Sequence, residues 1–302
     1  MIVQLDLSGR PLEEFNSLTE AAQATNIVDT NIKAVISGRR KTAGGFLWEE
    51  NEFGPPTLPI RRLFFDVETS PNIGLFWSAG YKLNIDYSNI IKERAIICIC
   101  YKWEGERKVH SLHWDRKQDD KAMLKAFIKV ANEADELIGH NGDRYDLPWL
   151  RTRALFHRLP MFPKYTTTDT LKVARSKFRF NSNRLDYIGQ FLGLGKKIQT
   201  EFSLWKDILL NKCPVAMNKM VEYCQGDVRL LEKIYRELRN HVEPKQHYGS
   251  LYLSNKEGCP ECGSENLAPV ITRATPAGTI KRQYRCRKCG KHHSKTLKRK
   301  VH

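Results

Sequence analysis

The run Leu63-Phe64-Phe65-Asp66-Val67-Glu68-Thr69 sets two carboxylates, two residues apart, at the end of an apolar segment. An apolar run of this kind reads as a buried strand. Alternate side chains on a strand share a face, so Asp66 and Glu68 point one way while Phe65 and Val67 point the other, into a core. Carboxylates held that close repel each other unless a cation lies between them. Hard divalent ions such as Mg²⁺ and Mn²⁺ take this all-oxygen ligand set. For the pair alone, a solvent-exposed acidic strand end is the favoured reading.

Two further segments carry acidic groups in defined local settings. Over residues 217–239, Met220, Val221, Cys224, Val228, Leu231, Ile234, Tyr235 and Leu238 recur at helical spacing. Tyr223 and Asp227, four apart, then lie one turn above each other, off the main apolar stripe. Upstream, in His140-Asn141-Gly142-Asp143-Arg144-Tyr145-Asp146-Leu147-Pro148, an apolar stretch runs into a helix start with Pro148 in the first turn. Asp146 could serve there as a simple N-cap.

Taken together, these three segments resemble the three motifs of the DEDD (DnaQ-like) 3′–5′ exonucleases of the tyrosine subclass. Thr168-Asp169-Thr170-Leu171 and Leu185-Asp186-Tyr187-Ile188-Gly189-Gln190 between them are similar to the proofreading domains of family B DNA polymerases. The resemblance spans roughly residues 60–240. It implies metal ligands at Asp66, Glu68, Asp146 and Asp227, and two Mg²⁺ or Mn²⁺ ions clamping a scissile phosphate. It also implies that Tyr223 orients the attacking water, since an unperturbed phenol with a pKa of about 10 is a poor base. His140 and Asn141 fit strand-end structure or substrate contact rather than metal ligation.

Of the net charge of +16, residues 1–50 contribute −2 and residues 245–302 contribute +10, leaving +8 between them. A basic surface around acidic side chains suits a polyanionic substrate. No run of 18 apolar residues is present to span a membrane. The amino terminus lacks the charged and apolar regions of a signal peptide, so a cytoplasmic location is expected, in a bacterial host if the chain is phage-encoded.

Cys259-Pro260-Glu261-Cys262 and Cys286-Arg287-Lys288-Cys289 are two C-x₂-C knuckles. Their spacing predicts a zinc ribbon with one structural Zn²⁺ on Cys259, Cys262, Cys286 and Cys289. Gly263 and Gly290 follow the pairs and permit tight turns. A hairpin is expected between strand-like residues 270–272 and 280–284, turning at Pro276-Ala277-Gly278. His292 and His293 are not expected as ligands, and Cys98, Cys100, Cys213 and Cys224 read as packed thiols. Lys281, Arg282 and Arg285, interleaved with Tyr284, and the basic stretch over 295–300 suit contact with nucleic acid.

The first 50 residues read as a separate module. A strand is expected over 2–7, then a turn at Ser8-Gly9-Arg10-Pro11. Ser17-Leu18-Thr19-Glu20 is a capping box opening a short helix. A second helix is expected over 29–37, ended by Gly38. Ser17-Leu18-Thr19-Glu20-Ala21-Ala22 and Lys41-Thr42-Ala43-Gly44-Gly45-Phe46-Leu47-Trp48 resemble the small modular DNA-binding domain of intron-encoded and phage homing nucleases. That resemblance implies a helix-turn-helix-like pair with DNA contacts at Asn31, Lys33, Arg39, Arg40 and Lys41.

The expected organisation is a DNA-binding module (1–50), a linker (51–59), an exonuclease domain (60–243), a second linker (244–257), a zinc ribbon (258–293) and a basic tail (294–302). Strands are expected near 61–67, 96–103, 108–113 and 137–139, with helices from about 148 onward. Pattern alone supports an α/β domain, and the resemblance implies a ribonuclease H-like mixed sheet flanked by helices. The expected activity is 3′–5′ hydrolysis of DNA, acting on single-stranded ends, with any proofreading role requiring a separate DNA polymerase as partner. The tyrosine subclass also includes ribonucleases, so RNA stays open as substrate, as does a non-catalytic DNA-binding protein. Trp77, Tyr81, Tyr165 and Phe178 are candidates to stack on terminal bases.

Overall fold

The computed structural model describes residues 2–7, 11–15, 17–50, 60–78, 80 and 85–297, with only the backbone described at Pro11 and Glu14. The turn at Ser8-Gly9-Arg10, the linker 51–59, Tyr81 and the tail residues 298–302 lie outside the described residues. The chain divides into two compact units, one of Met1–Ile60 with Asn240–His302, the other of Arg61–Arg239.

At the amino terminus, β1 (Ile2–Leu5) pairs antiparallel with β2 (Pro11–Phe15) on one side and β3 (Leu47–Glu50) on the other. Between them lie α1 (Leu18–Thr25) and α2 (Asp29–Ile36). The Ser17 hydroxyl accepts the Glu20 N–H at 3.1 Å, so the expected cap forms. The module closes over Ile2, Phe15, Ala21, Ile32, Val35, Ala43 and Trp48, and the Trp48 indole N–H donates to the Ala43 carbonyl at 2.9 Å.

The Arg61–Arg239 unit is built on a five-stranded mixed sheet. Its strands are β4 (Arg62–Thr69), β7 (Ile96–Trp103), β8 (His110–His113), β9 (Glu136–Gly139) and β10 (Thr167–Asp169), in the order β10-β9-β4-β7-β8. A separate two-stranded pair, β5 (Ile73–Gly74) and β6 (Ile90–Lys92), lies between β4 and β7 in sequence. β4 runs antiparallel to β7 and parallel to β9, and β9 is parallel to β10. Parallel neighbours need crossovers, here through α3 (Lys121–Ala131) and α4 (Asp146–Phe156). After β10 come α5 (Thr170–Lys177), α6 (Leu185–Phe191), α7 (Ser203–Leu209) and the long α8 (Pro214–Leu238).

Both faces of this sheet are covered, which is why β4 and β7 read as nearly continuous apolar runs. Phe64 meets Tyr235 of α8 edge-on with ring centroids 5.4 Å apart, and Phe65 meets Phe127 of α3 at 5.7 Å. Strand alternation therefore turns Phe64, Asp66 and Glu68 toward α8, and Phe65 and Val67 toward α3. At the other end of β4, buried Arg62 pairs with Glu136 at 2.9 Å and Glu104 at 3.0 Å. Lys102 of β7 forms a buried ion pair with Glu232 of α8.

The strand expected over 2–7 ends at Leu5, and two more sequence expectations need correction. The strand expected over 108–113 begins only at His110. The helix expected from 217 starts three residues earlier, with Pro214 at its first turn, where the missing N–H costs nothing.

Within the region read as the second linker, a helix forms, α9 (Tyr248–Leu253), capped by the His247 imidazole accepting the Ser250 N–H at 3.0 Å. Beyond it, β11 (Leu267–Ala274), β12 (Ile280–Cys286) and β13 (His292–Thr296) form an antiparallel sheet in that order. The β11–β12 hairpin is the one expected, whereas β13 was not, because His292 and His293 carry no apolar alternation. Gly263 and Gly290 adopt φ of 69° and 73°, and their N–H groups donate to the carbonyls of Cys259 and Cys286 at 2.8 and 2.9 Å, closing the two knuckles. No helix among the described residues is long and apolar enough to cross a membrane.

Candidate active site

β4 delivers Asp66 and Glu68, and α8 delivers Asp227 from the facing layer. Ligand oxygens of these three carboxylates lie within 4.8 Å of one another. Asp227 is buried, with Oδ2 ion-paired to Lys197 at 2.5 Å. The Cys224 thiol, one turn before Asp227, approaches Asp66 Oδ2 at 3.6 Å. Three converging carboxylates form an all-oxygen donor set that fits a hard divalent cation.

Asp146 is not an N-cap. Tyr145 occupies that position, and Asp146 is the first helical residue of α4, buried, with Oδ1 accepting the Val67 N–H of β4 at 3.0 Å. This bond spans 79 residues of sequence and ties the second acidic segment to the first. Asp146 stands outside the tight trio, yet its charge reaches Asp66.

The electrostatics of the cluster follow from crowding. Burial, and then the negative charge of Asp227, push the Asp66 carboxyl from 3.8 up to about 7. Burial followed by the Asp66 and Asp227 charges raises Glu68, and burial with Asp66 raises Asp146. The Tyr223 phenol is pushed up to about 12 by burial and by Asp227.

Lys197 was not singled out in the sequence. It lies between α6 and α7, and its ammonium sits 2.5 Å from Asp227 Oδ2 and 5.1 Å from the centre of the Tyr223 ring. Its own N–H donates to Asp186 Oδ1 at 2.7 Å, fixing the loop. Burial alone would lower the Lys197 ammonium, but the Asp227 carboxylate outweighs it and holds the group charged. The adjacent pair Lys196-Lys197 in a segment without periodicity gave no positional signal.

His140 is structural: Nδ1 meets Thr170 Oγ1 at 2.9 Å, Nε2 meets the Asn183 carbonyl at 3.0 Å, and burial lowers the ring to about 4. Asn141 adopts φ of 69°, and its N–H donates to Asp169 Oδ1 at 2.9 Å. Among the stacking candidates, Trp77 is fully exposed. Tyr165 is buried and donates to Asn132, and Phe178 packs on Phe180 at 5.4 Å. Cys98, Cys100 and Cys224 are buried as packed thiols, while Cys213 is half-buried.

Elsewhere, the sulfurs of Cys259, Cys262, Cys286 and Cys289 gather within 4.8 Å, with Cys259–Cys289 and Cys262–Cys286 each at 3.6 Å. A tetrahedral ion with Zn–S bonds of about 2.3 Å places sulfurs about 3.8 Å apart, whereas a disulfide needs about 2.0 Å. The four thiols fit a zinc ion. On β12, Lys281 and Arg285 share one face and Arg282 turns to the other, donating to Thr272 Oγ1 at 2.9 Å. Tyr284 already stacks on His293 at 5.9 Å, with the Lys295 ammonium 5.5 Å from its ring centre. In the amino-terminal module Lys33, Arg39, Arg40 and Lys41 are exposed at and beyond α2, and Arg40 donates to Asn31 Oδ1 at 2.6 Å.

Residues 63–239 match the RNase_H superfamily family model, and residues 8–49 match the DNA endonuclease I-HmuI-like, NUMOD-like domain. The chain belongs to the RNase H superfamily. It carries an I-HmuI-like NUMOD domain at its amino terminus and a buried four-cysteine cluster near its carboxyl terminus. Among solved structures it is similar to the family B DNA polymerase from the hyperthermophilic archaeon Pyrobaculum calidifontis, at 16% identity and a TM-score of 0.48, over 80% of this chain and 37% of that one. The chain thus spans well under half of that polymerase. No curated protein matches it.

Proposed function

We propose that the Arg61–Arg239 unit is a divalent-metal-dependent 3′–5′ exonuclease acting on single-stranded DNA ends. The observation that carries this reading is the meeting of Asp66, Glu68 and Asp227 oxygens within 4.8 Å, with Asp146 bonded to the same strand and Tyr223 on the same helix. Asp66, Glu68 and Asp227 would hold Mg²⁺ or Mn²⁺, with Asp146 contributing from α4. Such ions supply charge neutralisation at a phosphodiester and activation of a water.

The chain's own groups have separable tasks. Tyr223, protonated at neutral pH because its phenol is raised to about 12, donates a hydrogen bond that orients the attacking water. Lys197 holds positive charge beside Asp227, where negative charge builds on a phosphoryl group in the transition state. Cys224 and the Val67 N–H fix the rotamers of Asp66 and Asp146. The amino-terminal module and the zinc ribbon, with Lys281 and Arg285 on one face of β12, add phosphate contacts to DNA. A separate DNA polymerase is the partner this reading implies for any proofreading role.

The test is Asp66→Ala and Asp227→Ala in the full chain. Both lose cleavage of a single-stranded oligonucleotide while retaining its binding in chelator. Cleavage by either variant at the wild-type rate contradicts the assigned site, and preferential cleavage of the matched RNA strand moves the substrate from DNA to RNA.

A further inference from the structure

Past the carboxyl ends of β9 and β10 a cavity of about 340 Å³ opens, lined by Asn141, Arg144, Asp169, Leu171, Lys172, Arg175 and Ser176. We propose that Arg144, Lys172 and Arg175, with the side-chain amide of Asn141, form a second anion site that takes a backbone phosphate of the substrate strand next to the one being cut. This deepens the nuclease reading and rests on it.

Three cations line the cavity against one acid. The Asp169 carboxylate is engaged by backbone, accepting N–H groups of Asn141 at 2.9 Å, Leu171 at 3.0 Å and Asp143 at 3.4 Å. Lys172 is paired with Asp143 at 2.5 Å. Arg144 and Arg175 are exposed, and among the described residues no carboxylate pairs with either. Their forked donors suit a phosphate.

The cavity is also rigidly referenced to the catalytic carboxylates. Asn141 is pinned to Asp169, the loop closes through Tyr145 N–H to the Asn141 carbonyl at 2.9 Å, and its far end is Asp146, bonded to β4. β10 lies two strands from β4 in the sheet, on the order of 10 Å. Ligands of open α/β sheets bind beyond the carboxyl ends of the strands, where this cavity lies. Its chemistry fits either a phosphodiester of the bound strand or the phosphate of a released mononucleotide, and we assign the first because its walls are open to solvent and strung along the loop that leads to Asp146.

The test compares full-length wild type with Arg175→Glu and with the double variant Arg144→Gln/Arg175→Gln, after checking that their melting temperatures are unchanged. Three probes are used: a fluorescein-labelled single-stranded 12-mer, thymidine 5′-p-nitrophenyl phosphate as a substrate with no neighbouring phosphate, and thymidine monophosphate as a competitor. Binding of the 12-mer in chelator weakens about tenfold, and its log–log salt slope falls by about 0.7 for each phosphate that the variant no longer neutralises. In Mn²⁺ the KM for the 12-mer rises similarly with little change in kcat, while the p-nitrophenyl ester is hydrolysed as before.

Unchanged binding and KM for the 12-mer overturn the proposal, as does equal slowing of both substrates. So does weaker competition by thymidine monophosphate with an unaltered 12-mer KM, which assigns the cavity to product. If wild type hydrolyses neither substrate, the nuclease reading fails and the binding measurement in chelator still decides the site.

Discussion

The ammonium of Lys197 lies 2.5 Å from Asp227 Oδ2 and faces the ring of Tyr223, so one loop cation meets both of these side chains of α8. Their four-residue spacing stacks Tyr223 and Asp227 on one side of the helix, and the loop after α6 brings Lys197 against that side. Two consequences follow for a Lys197→Gln variant. Loss of a charge placed for the transition state lowers kcat on the order of 10²-fold. Loss of a cation competing for Asp227 lowers the Mn²⁺ concentration needed for half-maximal activity. Steady-state kinetics over a Mn²⁺ titration measure both, and an unchanged kcat contradicts the assignment.

The raised Asp66 carboxyl makes metal-free stability pH-dependent. Its pKa of about 7 in the folded chain stands above the usual 3.8, so the native state binds more protons than the unfolded chain between those values. Its contribution to stability is present below about pH 4 and is lost as pH rises to 7. In chelator, therefore, the melting temperature drifts downward across this window, less so in Asp66→Asn. Added Mn²⁺ raises it more at pH 8 than at pH 5, and not in Asp66→Asn. Calorimetry showing the same Mn²⁺ shift at both pH values contradicts this account.

Tyr223→Phe keeps the ring over Lys197 and removes the hydroxyl. Cleavage slows roughly 10- to 100-fold through loss of water orientation, with Mn²⁺ affinity unchanged. Because the phenol is raised to about 12, the wild-type rate profile has no limb from Tyr223 below pH 10. A fall in Mn²⁺ affinity in the variant would place Tyr223 among the metal ligands instead.

Much of this site was legible in the sequence because strand and helix periodicities place side chains without knowledge of contacts. Alternation put Asp66 and Glu68 on one face, and the 3.6-residue repeat freed Tyr223 and Asp227 from the apolar stripe. Asp146 read equally well as a cap, since its bond to Val67 spans 79 residues and leaves no local trace. Lys197 lies in a loop, where position is set by tertiary contacts such as its N–H to Asp186. β13 escaped notice because its inward residue is His293, which sequence patterning counts as polar.

The four-thiol cluster predicts about one zinc per chain by elemental analysis. Cys286→Ser removes a ligand from the second knuckle and reduces bound zinc at least tenfold, because a three-thiolate site leaves the tetrahedron open. Eight titratable thiols in denaturant, chelator and no reductant are expected, one for each cysteine of the chain. Four fewer, with no zinc, would mean paired disulfides instead.

The most direct test of the account is the degradation of a 5′-labelled single-stranded DNA by the wild-type chain and by Asp66→Ala in Mn²⁺ or Mg²⁺. The account predicts a ladder that shortens stepwise from the 3′ end, requires the metal, and is absent with the variant. An oligonucleotide left intact by both proteins, or degraded equally by both, contradicts it.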